Sequence, residues 1–272
     1  MIYDCFLFYN ELDLLEIRLN ELKDVVDKFV LVECSTTFSS LEKPFYFEEN
    51  IERYNDFLDQ IVHVKVYDTP NFPSKAGRGK TFHNRHDIEA YQRNCISRGL
   101  EDCLPDDIIL LSDVDEIPDP NCVLECVDLV SSGNVSFKQK FFYYYLNGLC
   151  VKSGNPVYWS GTTACLYSNF YGAEKLRKSR GSTPNVLMNS GWHFSYLGGS
   201  DSIALKIESF AHAEWDNDYI KNRSRLDAAI EAGTDIFGRD DKPKQTYISL
   251  DDSFPKTLME NVHKYTHLIK EV

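Results

Sequence analysis

The sequence predicts an α/β protein with a mostly parallel central sheet, to which the C-terminal half adds antiparallel strands and helices. Two observations carry this. Up to Pro120, short apolar runs alternate with stretches of helical periodicity, the pattern of right-handed β-α-β crossovers. From Val135 on, the strand-like runs turn aromatic and follow one another without helical stretches between them.

Taken in order, Ile2–Phe8 reads as the first strand. Leu12, Leu15, Leu19 and Leu22 recur at helical spacing, with Asn10 as the cap. Phe29–Glu33 is a second strand, Glu48–Leu58 a helix and Ile61–Val66 a third strand. Segment 68–84 is rich in Pro, Gly, Lys and Arg without periodicity, which predicts a long loop. A helix follows from about His86 to Gly99. Ile108 to Leu111, all apolar, form a strand buried on both faces. Pro118 and Pro120 stop that strand, and Asp119 with Pro120 opens the next helix. The second half offers strands at Val135–Leu146 and Pro156–Tyr167, then helices near 201–211, 217–232 and 255–269. With no repeat, low-complexity tract or linker, residues 1–272 read as one continuous domain.

A net charge of −13 argues against nucleic acid and against an anionic membrane surface as partners. No apolar run approaches the ~20 residues of a membrane span. Met1 to Phe8 lacks the length and basic flank of a signal peptide. The expectation is a soluble, cytoplasmic protein. Its eight cysteines include no Cys-x-x-Cys pair, which suits buried free thiols in a reducing compartment.

The chemistry concentrates after Leu111. Asp113 and Asp115 stand at the carboxyl end of a central strand, where open α/β sheets bind their ligands. Repulsion makes two such carboxylates costly unless a cation sits beside them. A divalent Mn²⁺ or Mg²⁺ carrying a phosphate-bearing substrate meets that need; a solvated acidic turn is the alternative. Hydrolases of the haloacid dehalogenase type also place Asp-x-Asp after a strand. Theirs lies on the first strand and is followed by Thr or Val, where this chain has Glu116 and Ile117.

Other residues gather around this pair in the reading. Lys75, Arg78, Lys80, His83, Arg85 and His86 form a basic patch in an acidic chain, either a loop closing over a diphosphate or a solvated one. Arg93, with Asn94, precedes the aspartate strand and suits phosphate or sugar oxygens, or a surface ion pair. His193 lies among aromatics, either a third metal ligand or a core residue; Gly198-Gly199 and Lys206 follow it as a phosphate-handling turn and helix. His212 and Glu214 form a further polar pair, a base, an acceptor contact or a helix cap.

Four segments in order carry a resemblance. They are Asn10-Glu-Leu-Asp-Leu-Leu-Glu-Ile-Arg-Leu-Asn-Glu-Leu22, Val32-Glu-Cys-Ser35, Ser112-Asp-Val-Asp-Glu-Ile-Pro118 and Gly191-Trp-His-Phe-Ser195. Together they resemble the family 17 glycosyltransferases, over about residues 4 to 238. The resemblance implies a GT-A type, Rossmann-like fold. It implies a nucleotide-sugar donor, UDP-linked N-acetylglucosamine, a glycan hydroxyl as acceptor, and inversion at the anomeric carbon. Residues 1–120 would be the nucleotide-sugar half and 121–272 the acceptor half. Asp113 would meet ribose or metal, Asp115 and His193 the Mn²⁺ or Mg²⁺, and Lys206 a phosphate. The sequence does not identify the proton-accepting carboxylate; Glu174 and Glu214 are the two candidates. Two rival readings are a metal-dependent phosphatase with Asp113 as nucleophile and a sugar-nucleotide-binding module without catalysis.

Overall fold

The computed structural model describes residues 1–71, 75–77, 80–82, 85–239 and 243–272, with backbone alone for 75–77 and 80–82. The first half runs β1 (Ile2–Leu7), α1 (Leu12–Leu22), β2 (Lys28–Cys34), α2 (Tyr46–Glu49), β3 (Ile61–Val66), a small antiparallel pair β4 (Lys75–Gly77) and β5 (Lys80–Phe82), α3 (Arg85–Asn94) and β6 (Ile108–Asp113). The second runs β7 (Glu116–Pro118), α4 (Pro120–Leu129), β8 (Val135–Tyr143), β9 (Gly148–Lys152), β10 (Asn155–Pro156), β11 (Tyr158–Leu166) and α5 (Ala173–Ser179). It ends with β12 (Asn185–Ser195), α6 (Gly199–Ser209), α7 (Arg223–Glu231), β13 (Lys244–Tyr247) and α8 (Lys256–Glu260).

Strands β3, β2, β1 and β6 pair in parallel in that order, as the alternation of the first half requires. Side chains on successive positions go to opposite faces. Phe6, Phe29, Leu31 and Leu110 thus pack against α1 and α4 on one side. Cys5, Val30, Val32, Ile109 and Leu111 pack on the other, beside Cys95, Ile96 and Leu176. The second half joins antiparallel: β11 pairs with β6, β8 with β11, and β9 with β8, while β12 runs parallel to β8 and antiparallel to β7. This is the mixed α/β architecture that the pattern predicts, one sheet drawing on both halves of the chain.

Several elements differ from the sequence expectation for local reasons. The helix expected at Glu48–Leu58 is one α-turn, α2, followed by a 3₁₀ segment kinked at Tyr54. The buried Glu33 carboxylate accepts the amide of Phe47 at 3.2 Å and so starts the turn early. Asn50 then ends it by donating its side-chain amide to the Tyr46 carbonyl at 2.8 Å, a competition that makes Asn a poor helix interior residue. Asn261 does the same to Thr257 at 3.0 Å, which cuts the helix expected at 255–269 down to α8 and two 3₁₀ turns. Glu11, not Asn10, takes the cap position of α1, its carboxylate turned back to the amide of Asn10. The expected loop at 68–84 contains the pair β4–β5. Pro118 does not end pairing but closes the short strand β7.

Among the described residues no helix is long and apolar enough to cross a membrane. All eight cysteines are free thiols, and Cys5, Cys34, Cys95, Cys126, Cys150 and Cys165 are buried.

Candidate active site

At Asp113 the chain leaves the sheet, turns through Val114 and Asp115, and returns as β7 against β12. The return needs Gly191 in β12: with φ +128°, its missing Cβ would lie 2.2 Å from the Ile117 carbonyl oxygen. A fully buried arginine holds the turn from beneath. Arg18 of α1 pairs with Asp4 of β1 through Nε at 2.7 Å and Nη2 at 2.6 Å. Its Nη1 donates to the carbonyls of Asp113, Val114 and Glu116 at 3.2, 3.3 and 2.8 Å. One side chain thus fixes the backbone of the whole carboxylate turn.

The carboxylates face a cleft of about 800 Å³ lined by residues of both halves. Asp113 pairs with Arg177 of α5 and lies 3.6 Å from Arg93 of α3. Burial alone would raise its pKa, but Arg177 and then Arg93 hold it well below the usual carboxylate range. Arg177 also forks onto Glu116, reaching Oε1 at 2.9 Å, and donates to the Gly161 carbonyl at 3.2 Å. Gly161 sits at a bulge in β11, and a Cβ there would fall 1.7 Å from Gln139 Oε1. Glu116 is completed by the Trp159 indole N–H at 2.6 Å.

Asp115 points elsewhere. Its Oδ2 accepts from Lys206 Nζ at 2.9 Å, and its Oδ1 stands 3.6 Å from His193 Nε2. Burial would lower the Lys206 pKa, but Asp115 and then Glu11 carry it well above the ordinary lysine value. His193 is stacked on Phe141 at 4.9 Å and tilted against Trp159 at 5.1 Å. Burial lowers its pKa, with Asp115 and Glu116 opposing only in part, so its imidazole is neutral at neutral pH. Its Nδ1 is buried without a hydrogen-bond partner.

The expected site residues therefore divide into groups. Asp113, Asp115, Arg93, Glu174, His193 and Lys206 all line the cleft. Arg93 is already engaged by Glu174 at 2.5 Å and Glu89 at 2.6 Å. Glu174 also meets Lys178 at 3.0 Å; against the effect of burial, Arg93 and Lys178 keep its pKa below the usual range. Glu214 is about half exposed and bound to His212 Nδ1 at 2.9 Å, and it is His212 that reaches the cleft wall. Arg85 ties α3 to Asp216 at 2.8 Å and to the end of α6, and does not sit over the aspartates. Arg78 and His83, and the side chains of Lys75 and Lys80, lie outside the described residues.

Sequence reading missed Arg18, Glu116, Trp159, Arg177 and Arg180. The available signals were Glu116 directly after the pair and a basic run at Lys175, Arg177, Lys178 and Arg180 in an acidic chain.

No group of three or more His, Cys, Asp or Glu side chains among the described residues is arranged to hold a metal. Asp115 and His193 nevertheless fit one together. Their 3.6 Å separation is too long for a hydrogen bond, yet a carboxylate oxygen and a neutral imidazole nitrogen so spaced can share one divalent ion. Asp113, turned to its arginines, does not join them.

A family model described as glycosyltransferase family 17 matches residues 1–270. Similar curated proteins are the β-1,4-mannosyl-glycoprotein 4-β-N-acetylglucosaminyltransferases of Rattus norvegicus, 24% identical over 291 residues, and Homo sapiens, 24% over 290 residues. Each alignment covers 96% of this chain and 53% of the relative, so the chain spans about half the length of the curated relatives it matches. Among solved structures, the 4-diphosphocytidyl-2C-methyl-D-erythritol synthase of Anaerococcus prevotii is 13% identical, with a TM-score of 0.37 over 69% of this chain and 86% of that one. The 2-C-methyl-D-erythritol 4-phosphate cytidylyltransferase of Francisella tularensis is 8% identical, with a TM-score of 0.35 over 69% and 90%.

Proposed function

The chain belongs to glycosyltransferase family 17, and from that premise we propose that it transfers a sugar from a nucleotide-linked donor to a glycan hydroxyl, with inversion at the anomeric carbon. The observation that carries the reading is the cleft at the end of β6, where Asp113, Asp115 and Glu116 face Arg93, Arg177 and Lys206. Such alternating charge suits a diphosphate with a bound cation. The donor we propose is UDP-linked N-acetylglucosamine, supported by the names of the curated relatives. Residues 1–120 would bind mainly the nucleotide and 121–272 the acceptor, in one domain; the cations of α5 and α6 would serve the donor from the second half.

In this proposal Asp115 and His193 hold Mn²⁺ or Mg²⁺, which when bound helps neutralise the leaving diphosphate. Lys206 donates to Asp115 and adds a positive charge on the same side of the cleft. Arg177 locks Asp113 and Glu116 so that the turn does not collapse as ligands enter. Glu174 takes the acceptor proton, because it lines the cleft while Glu214 reaches it only through His212.

Two experiments bear on this. In a thermal-shift panel of nucleotide sugars, UDP with Mn²⁺ at about 100 times Kd should stabilise the protein by about 2.7 kcal/mol, a shift of roughly 5 °C or more. Phosphate release from simple esters without that shift would favour the phosphatase, and the shift without turnover the binding module. Glu174→Gln should lower kcat by about 10²-fold with donor KM kept, against little change in Glu214→Gln. The reverse result moves the role to Glu214 and His212, and no effect from either removes both.

A further inference from the structure

Among the described residues the cleft holds one arginine that forms no ion pair with a carboxylate. Among the described lysines and arginines of the lining, Lys43, Arg93, Arg177, Lys178, Lys206 and Arg239 each pair with a carboxylate. Arg180 lines the same cleft and pairs with none among the described residues. It is nevertheless held in place. Its backbone carbonyl accepts from Ser136 Oγ at 2.6 Å at the end of α5. Its guanidinium carbon lies 5.0 Å from the centre of the Trp159 ring. That ring is itself anchored to Glu116 at 2.6 Å, so the platform under Arg180 is tied to the aspartate turn. Burial, then the nearby Arg177 and to a lesser degree Arg93, push the pKa of Arg180 down, with Glu116 and Asp113 opposing only in part because neither forms an ion pair with it. A cation gathered next to two others and left unpaired is in a state that an anionic ligand relieves.

We infer that Arg180, displayed on the Trp159 ring, binds the diphosphate of the donor. This rests on the nucleotide-sugar reading above and names the residue that receives the phosphoryl oxygens. Arg93 and Lys206, which the sequence nominated for that task, are occupied by Glu89, Glu174 and Asp115, while the Arg180 fork is free to take two oxygens at once. The charge that grows on the leaving diphosphate then meets a guanidinium already in position.

Titration calorimetry on the full chain tests this with UDP, inorganic pyrophosphate and uridine. Arg180→Ala should weaken UDP and pyrophosphate about tenfold, about 1.4 kcal/mol, and leave uridine unchanged. Arg180→Lys should recover part of the loss, since it restores the charge without the fork. In turnover, donor KM should rise and acceptor KM stay. A loss under threefold for both anions, or a rise confined to acceptor KM, overturns the assignment while leaving the donor reading intact. Wild-type protein that binds pyrophosphate through Arg180 but not UDP keeps the anion site and removes the nucleotide donor. Binding of neither anion by the wild type removes both.

Discussion

Asp115→Asn is expected to lower turnover by about 10³-fold while the fold stays intact, the loss typical of removing one preorganised electrostatic stabiliser. The two parts of that expectation have separate causes. Asn keeps the shape of the side chain, and the Asp115 carbonyl still accepts the Phe194 amide at 2.8 Å, so the turn keeps its backbone tie to β12. Lys206 keeps Glu11 at 3.8 Å as a second carboxylate, so losing Asp115 as a partner does not leave its charge alone. What disappears is the anionic half of the Asp115–His193 pair, and with it the affinity for a divalent ion that the proposed function assigns to the pair. Steady-state kinetics over a Mn²⁺ titration, alongside thermal unfolding, would measure both parts. Full activity in the variant, or wild-type activity unmoved by EDTA, would sink the metal-assisted reading.

That prediction uses what was most legible in the chain. The run Ile108 to Leu111 is apolar on both faces, as a strand in the middle of a sheet covered on both sides requires, so its carboxyl end and the two aspartates could be placed from local pattern alone. His193 was set beside Asp115 only by the family resemblance, and Lys206 was read as a phosphate contact and not as a partner of Asp115, because strand β12 and helix α6 bring both in from far along the chain. The Arg177 clamp lies 64 positions from Asp113, and no spacing rule reaches that far. The broken helices at Asn50 and Asn261 had a readable cause, an amide able to compete for a carbonyl four residues back. Helical periodicity outweighed it in the reading, although periodicity reports which face is buried and not whether the backbone continues. Arg18 was hidden for the opposite reason. It sits inside an apolar helical repeat where an arginine reads as a solvated position, yet it is fully buried.

Arg18→Met is therefore expected to have the largest effect on stability, a loss of about 3–5 kcal/mol from breaking a buried ion pair. Measured against the roughly 5–15 kcal/mol that holds a typical domain, this is a substantial fraction. Methionine fills a similar volume and keeps contact with the Phe6 ring, over which the guanidinium carbon now lies at 4.6 Å. It leaves the Asp4 carboxylate buried with no counter-charge, and Ser112 Oγ and the carbonyls of Asp113, Val114 and Glu116 without their donor. Arg18→Lys should fare only somewhat better, since one ammonium cannot reproduce a fork shared among a carboxylate, a hydroxyl and three carbonyls. The double variant Asp4→Leu with Arg18→Met separates the two functions assigned to this residue. Removing both charges should return much of the stability in denaturant unfolding, because two apolar groups replace an ion pair at little net cost. It should not return activity, because the aspartate turn still lacks the donor that shapes its backbone. Recovery of kcat together with stability would mean that Arg18 supports the fold alone. Stability regained while kcat stays low would identify it as the residue that positions Asp113 and Asp115.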